Sequence, residues 1–135
     1  MALYLAGHHN NLEDVFLESS KAVFEYLKVD FEANLKLVTK AEIRALNKRY
    51  RGLDNATDVL SFKLDEEVGG DIVICPEIAV ENAKKWQMAE DDIYRLLVIH
   101  GILHLAGFDH EKDKDRVKME EAESVIMAQL GIIIE

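Results

Sequence analysis

"DIYRLLVIHGILHLA", residues 92–106, is apolar on nearly every side of a helical wheel. A helix without a wet face belongs inside its domain, so this stretch predicts a central helix on which the other elements pack. Two histidines interrupt it, His100 and His104, four residues apart and hence on one face about one turn from each other. The continuation "GFDH" (107–110) carries a third. Gly107 suits a left-handed helix end, and a chain that reverses there brings His110 back toward the other two.

Around this helix the pattern is mixed. "ALYLA" (2–6) and "ANLKLVT" (33–39) read as strands, the second with Leu35 and Leu37 alternating against Asn34 and Lys36. Between them, residues 12–28 place Leu12, Val15, Phe16, Ala22, Val23 and Leu27 close to a helical stripe, with acids in the first turn. Thr39 followed by Glu42 is a capping box that opens a helix running to about Tyr50. "GLDNATD" (52–58) is a loop, and "DVLSFKL" and "GDIVICP" are strands joined by the turn-rich "DEEVGG". Pro76 suits the first turn of a helix to about Gln87; Asp91 or Asp92 opens the central helix; a last helix covers roughly 113–130. The order β-α-β-α-β-β-α-α-α predicts a single α+β domain over 1–135, with a small mixed sheet and about five helices packed on it.

With 135 residues, 49% apolar and 31% charged, the chain has the composition of a folded domain, not of a disordered segment. Its one cysteine, Cys75, excludes an internal disulfide framework and reads as a buried strand residue. No apolar run reaches the ~18 residues of a membrane span and the N-terminus lacks a signal-peptide pattern, so the expected location is the cytoplasm. The net charge of −10 argues against nucleic acid until its distribution is considered. Residues 36–51 hold six bases (Lys36, Lys40, Arg44, Lys48, Arg49, Arg51) and one acid, a local +5 within a chain that is otherwise −15.

Three imidazoles converging from a helix and its following turn supply three of the four tetrahedral ligands of one zinc ion per chain. The fourth position stays open for water, as in catalytic sites. The alternative is three separately satisfied core histidines. Each would then need its own partner, and the segment offers few polar groups besides Asp109. Asp109 itself either orients a histidine or caps the turn. The spacing H-x-x-x-H-x-x-G-x-x-H matches the ligands of one zinc-protease class. Those enzymes carry glutamate directly after the first histidine as general base, where this chain has Gly101.

"NKRYRGLDNATDVLSF" (47–62), "GDIVI" (70–74) and "HGILHLAGFDH" (100–110), in that order along the chain, resemble the YbeY family of bacterial endoribonucleases. The resemblance implies a single-domain, metal-dependent ribonuclease with zinc on His100, His104 and His110 and an activity-linked arginine at Arg51. It further implies single-stranded RNA as substrate, a role in 16S ribosomal RNA 3′-end maturation and ribosome quality control, and association with small-subunit components and the GTPase Era. The chain departs from the family in carrying Lys63 where proline is usual and in a short stretch from Phe62 to Gly70, so the hairpin loop is expected to differ.

Zinc lowers the pKa of a coordinated water toward neutrality, which supplies a nucleophile without a strong protein base. Arg51 offers a permanent charge and forked donors to a phosphate, although a surface cation at a basic helix end would look the same. Thr57 and Asp58 are expected to fix their loop, His8 and His9 to be solvated turn residues, and Phe108 to serve the core more than to stack a base. The charged run "DHEKDKDRVKMEEAES" (109–124) reads as a solvated helix face. Lys40, Arg44 and Lys48, every fourth residue, form a stripe that could lead an RNA backbone toward Arg51 or could simply be solvated. The rival functions are a zinc metalloprotease and a non-catalytic, zinc-stabilised ribosome-binding module.

Overall fold

The computed structural model describes residues 2–29, 31–63, 69–108 and 112–133. Its order is β1 (Ala2–Ala6), α1 (Glu13–Leu27), β2 (Glu32–Leu37), α2 (Lys40–Arg51), β3 (Val59–Lys63), β4 (Gly69–Ile74), α3 (Pro76–Lys85), α4 (Glu90–Leu105) and α5 (Asp113–Gln129). The strands form one sheet in the order β1-β2-β4-β3, parallel across β1-β2 and β2-β4 and antiparallel across β3-β4. This is the mixed sheet of an α+β domain that the element order predicts.

Helix boundaries follow local chemistry. The Thr39 hydroxyl accepts from the Glu42 amide, and the Glu42 carboxylate accepts from the Thr39 amide, closing the capping box at the start of α2. The Thr39 amide, donating to the Glu42 carboxylate, is the main cause that holds that carboxyl below its ordinary pKa, and the Thr39 hydroxyl adds a smaller effect in the same direction. Pro76 occupies the first turn of α3, which stops at Lys85, two residues before its expected end, because Gln87 adopts a left-handed conformation. Helix α4 begins at Glu90, slightly early, so three acids sit in its first turn.

Strand alternation divides the interior into two clusters. Ala33, Leu35, Ile72 and Ile74 join α1, α3, α4 and α5 in the main core, whose α4 share includes Ile93, Leu97, Val98, Ile99, Ile102 and Leu103. The opposite face, with Leu60 and Val73, is covered by α2 through Ile43, together with Val38 and Cys75, which is fully buried as expected. Helix α4 is thus the central helix that its composition requires, pressed against β4, while α2 lies across the sheet from it. Gly101 makes the close approach possible: a Cβ there would lie 3.0 Å from both Cδ1 and Cγ2 of Ile72. Among the described residues, no helix is long and apolar enough to cross a membrane.

Candidate active site

The C-terminal half of α4 presents His100 and His104 side by side, with ring centres 6.3 Å apart and planes within 21° of parallel. Each ring is oriented by a bond from Nδ1. In His100 it donates to Glu123 Oε1 at 2.7 Å, and in His104 to the Phe108 carbonyl at 2.9 Å. A carbonyl can only accept, and so can an ionised carboxylate. In the neutral imidazoles the proton therefore sits on Nδ1 and the lone pair on Nε2.

The Phe108 acceptor exists because the helix ends as the sequence implies. Gly107 takes φ +105°, and the Phe108 amide donates back to the Leu103 carbonyl at 3.0 Å. The predicted third ligand, His110, and the ambiguous Asp109 lie outside the described residues, as does the hairpin segment 64–68. Among the described residues no three His, Cys, Asp or Glu side chains cluster as a metal site. The two that are described have the donor chemistry zinc takes: imidazole nitrogens one helical turn apart, each with its other nitrogen held by an oxygen.

Glu123 is the site residue that the sequence reading missed. It belongs to α5, whose Met119, Ala122, Ile126 and Met127 are buried against the core, and its side chain is only 13% exposed. The run taken for a solvated face is one along Glu120 and Glu121, but Glu123 falls inside the apolar stripe. An acid at a stripe position was the available signal.

Beside edge strand β3 lies a cleft of about 650 Å³ lined by Leu46, Tyr50, Arg51, Ser61, Phe62, Lys63, Asp71, Val73 and His104. The residue implied by resemblance and one histidine of the helix motif therefore share one cavity. Arg51 is exposed at the end of α2 and makes no ion pair among the described residues. Its position is set by neighbouring contacts: buried Asn47 donates through Nδ2 to the Asn55 carbonyl at 2.9 Å, tying the last turns of α2 to the following loop. Asp58 holds the far end of that loop as expected. Its carboxylate accepts from Asn82 at 3.1 Å and from the Thr57 hydroxyl at 3.3 Å, and its carbonyl accepts from the Cys75 amide at 2.9 Å. On the other wall, Ser61 Oγ donates to the Gly101 carbonyl at 3.3 Å, joining β3 to α4.

The basic stripe is more neutralised than its spacing suggests. Lys40 Nζ lies 3.9 Å from Glu81, and Arg44 Nε donates to Asp54 at 2.9 Å. That bond, with the guanidinium charge behind it, lowers the Asp54 pKa, and Lys48 adds a smaller effect in the same direction. None of Lys40, Arg44 and Lys48 is among the residues lining the cleft.

The profile described as Endoribonuclease YbeY matches residues 6–131. An endoribonuclease YbeY of Methylobacillus flagellatus is 44% identical over 107 residues, spanning 78% of this chain and 72% of that protein. One from Thermotoga neapolitana is 46% identical over 98 residues, 72% of this chain and 66% of the relative. The solution structure of TM1509 from Thermotoga maritima superposes with a TM-score of 0.67 at 33% identity, covering 96% of this chain and 92% of that one. With the family profile matched across nearly the whole sequence and the fold shared with a solved relative, this chain belongs to the endoribonuclease YbeY family.

Proposed function

We propose that this chain is a metal-dependent endoribonuclease that cuts single-stranded RNA in 16S ribosomal RNA 3′-end maturation and ribosome quality control. It acts in the cytoplasm, with small-subunit components and the GTPase Era as partners. The observation that carries the reading is the shared cleft: Arg51 and His104 line one cavity, although they come from helices on opposite faces of the sheet.

His100, His104 and His110 would hold one zinc ion. Bound there, zinc supplies Lewis acidity and water activation near neutral pH. Glu123 and the Phe108 carbonyl keep the protons of His100 and His104 on Nδ1, so that Nε2 of each ring carries the lone pair. Both histidines lie in the C-terminal half of α4, where the helix dipole favours positive charge. Arg51 meets the non-bridging oxygens of the scissile phosphate. Its fork of N–H donors holds them in place, and its charge counts for more as negative charge develops in the transition state.

The protease alternative is disfavoured by packing as well as by identity. The residue after the first histidine is held against Ile72, where a glutamate side chain has no room. The test is to purify the protein without added metal, measure its metal content, and assay cleavage of single-stranded RNA and unfolded casein in parallel. Bound zinc with RNA cleavage that is lost in His104→Ala is the expected result. Metal-dependent casein cleavage, or absence of RNA cleavage by metal-loaded protein, would overturn the proposal.

A further inference from the structure

Two aromatic side chains line the cleft, and neither metal binding nor phosphate binding uses them. Tyr50, on the last turn of α2, is 58% exposed and so contributes little to the core. Phe62, on β3, is half-buried against the smaller cluster. Their ring centres are 5.0 Å apart with planes tilted by 56°. The Arg49 guanidinium carbon lies 5.2 Å from the centre of the Tyr50 ring, and Arg51 and Lys63 add two more cations at the cavity wall.

Exposed π surface bordered by cations suits a flat, apolar group that carries a phosphate. Tyr50 and Arg51 are consecutive in the chain, much as a base and its phosphate are separated by one sugar. We propose that Tyr50 and Phe62 form a stacking platform for one unpaired nucleobase, whose flanking phosphate lies at Arg51. An incoming base takes the place of the Arg49 guanidinium over the Tyr50 ring, which the exposed Arg49 side chain permits. A base inside a duplex is already stacked on its neighbours, so this platform would itself impose a requirement for single strands.

The inference rests on the RNA-cleaving reading above, and the experiment separates the two. Binding of a labelled ten-nucleotide oligoadenylate and of an abasic ribose-phosphate chain of equal length is measured by fluorescence anisotropy for wild type, Tyr50→Phe and Tyr50→Leu. Cleavage of the oligoadenylate is followed at saturating and sub-saturating RNA. Wild type should prefer the oligoadenylate over the abasic chain by at least about tenfold, the scale of one base stacked on an aromatic ring. Tyr50→Phe should keep that preference. Tyr50→Leu should lose most of it, with a raised KM and a nearly unchanged kcat. If wild type binds and cuts RNA but binds both chains equally, or if Tyr50→Leu weakens both chains alike, the platform is refuted while the ribonuclease reading stands. If wild type neither binds nor cuts the oligoadenylate, the ribonuclease reading fails, and the platform with it.

Discussion

Gly101→Ala tests whether the approach of α4 to the sheet is set by a missing methyl group. The added Cβ meets Ile72 Cδ1 and Cγ2 at 3.0 Å and Cγ1 at 3.2 Å. Ile72 is fully buried, so it cannot swing into solvent. Alanine gains about 1 kcal/mol over glycine inside a helix, whereas overpacking a tight core costs about 1–3 kcal/mol. The overpacking term wins, and the single variant should lose about 1 kcal/mol. Ile72→Ala removes all three contacted carbons and on its own should cost about 2–5 kcal/mol through the cavity it leaves. In that background Gly101→Ala no longer overpacks and should stabilise by about 1 kcal/mol, giving a coupling near 2 kcal/mol across the cycle. Urea unfolding of the four proteins measures it. Cleavage per folded molecule should fall in Gly101→Ala, because lifting α4 from β4 shifts His100 and His104 relative to Arg51. An equal cost of Gly101→Ala in both backgrounds would show that Ile72 does not set the helix position.

Arg51→Ala should remove most RNA cleavage while metal content and unfolding midpoint stay close to wild type; loss of folding with activity retained per folded molecule would make Arg51 structural. Glu123→Leu should weaken zinc affinity by roughly 10- to 100-fold, with Glu123→Gln keeping a larger share because its amide oxygen still accepts from His100 Nδ1; competition with a chromophoric chelator reads this directly, and equal affinities would sink the orienting role. In the basic stripe, Lys48→Gln should lower the salt slope of RNA binding by about 0.7. Lys40→Gln and Arg44→Gln should each change it less, since Glu81 and Asp54 already partner them; three equal changes would refute that ranking. Glu42 and Asp54 have folded-state pKa values below their ordinary ones, the first through the Thr39 bonds and the second through the Arg44 bond. Their ionised forms therefore stabilise the fold above the ordinary carboxylate range, and the contribution fades as pH falls through the lowered values. Both are exposed, so the effect is small and screened by salt. Unfolding of wild type and Glu42→Gln/Asp54→Asn should differ near neutrality and converge in acid.

The features that were legible in the sequence are those whose cause is local. The Thr39–Glu42 box, Pro76 at the start of α3, the Gly107 helix end and the shared face of His100 and His104 each depend on residues within about one or two turns, and each is observed. The features that were not legible join distant residues. Nothing near Glu123 says that it meets His100, 23 positions away, until α5 is docked by its buried stripe. Nothing in the recurrence of Lys40, Arg44 and Lys48 says that Glu81 and Asp54 stand opposite two of them. Spacing along a helix fixes which side chains share a face, but what faces them is decided by the tertiary arrangement.

The cleft belongs to this second kind, and its origin can be traced through the sheet register. Strand β3 is antiparallel to β4 with Phe62 opposite Asp71 and Leu60 opposite Val73, so these four point toward the α2 side, while Ser61 points toward α4. Helix α2 runs over that side and ends at Arg51; α4 runs beneath the other and places His104 in its last turn. Because β3 is the edge strand, no further strand among the described residues separates the two helix ends, and their side chains meet around it. Both ends carry the negative pole of a helix dipole, which is compatible with Lys48, Arg49 and Arg51 on one and favours a cation on the other. The charged residues that line the cavity are Arg51, Lys63 and Asp71, two cations beside one acid in a chain that is acidic as a whole. A shift of one residue in the register of β3 would exchange the faces of Ser61 and Phe62 and abolish the shared cavity.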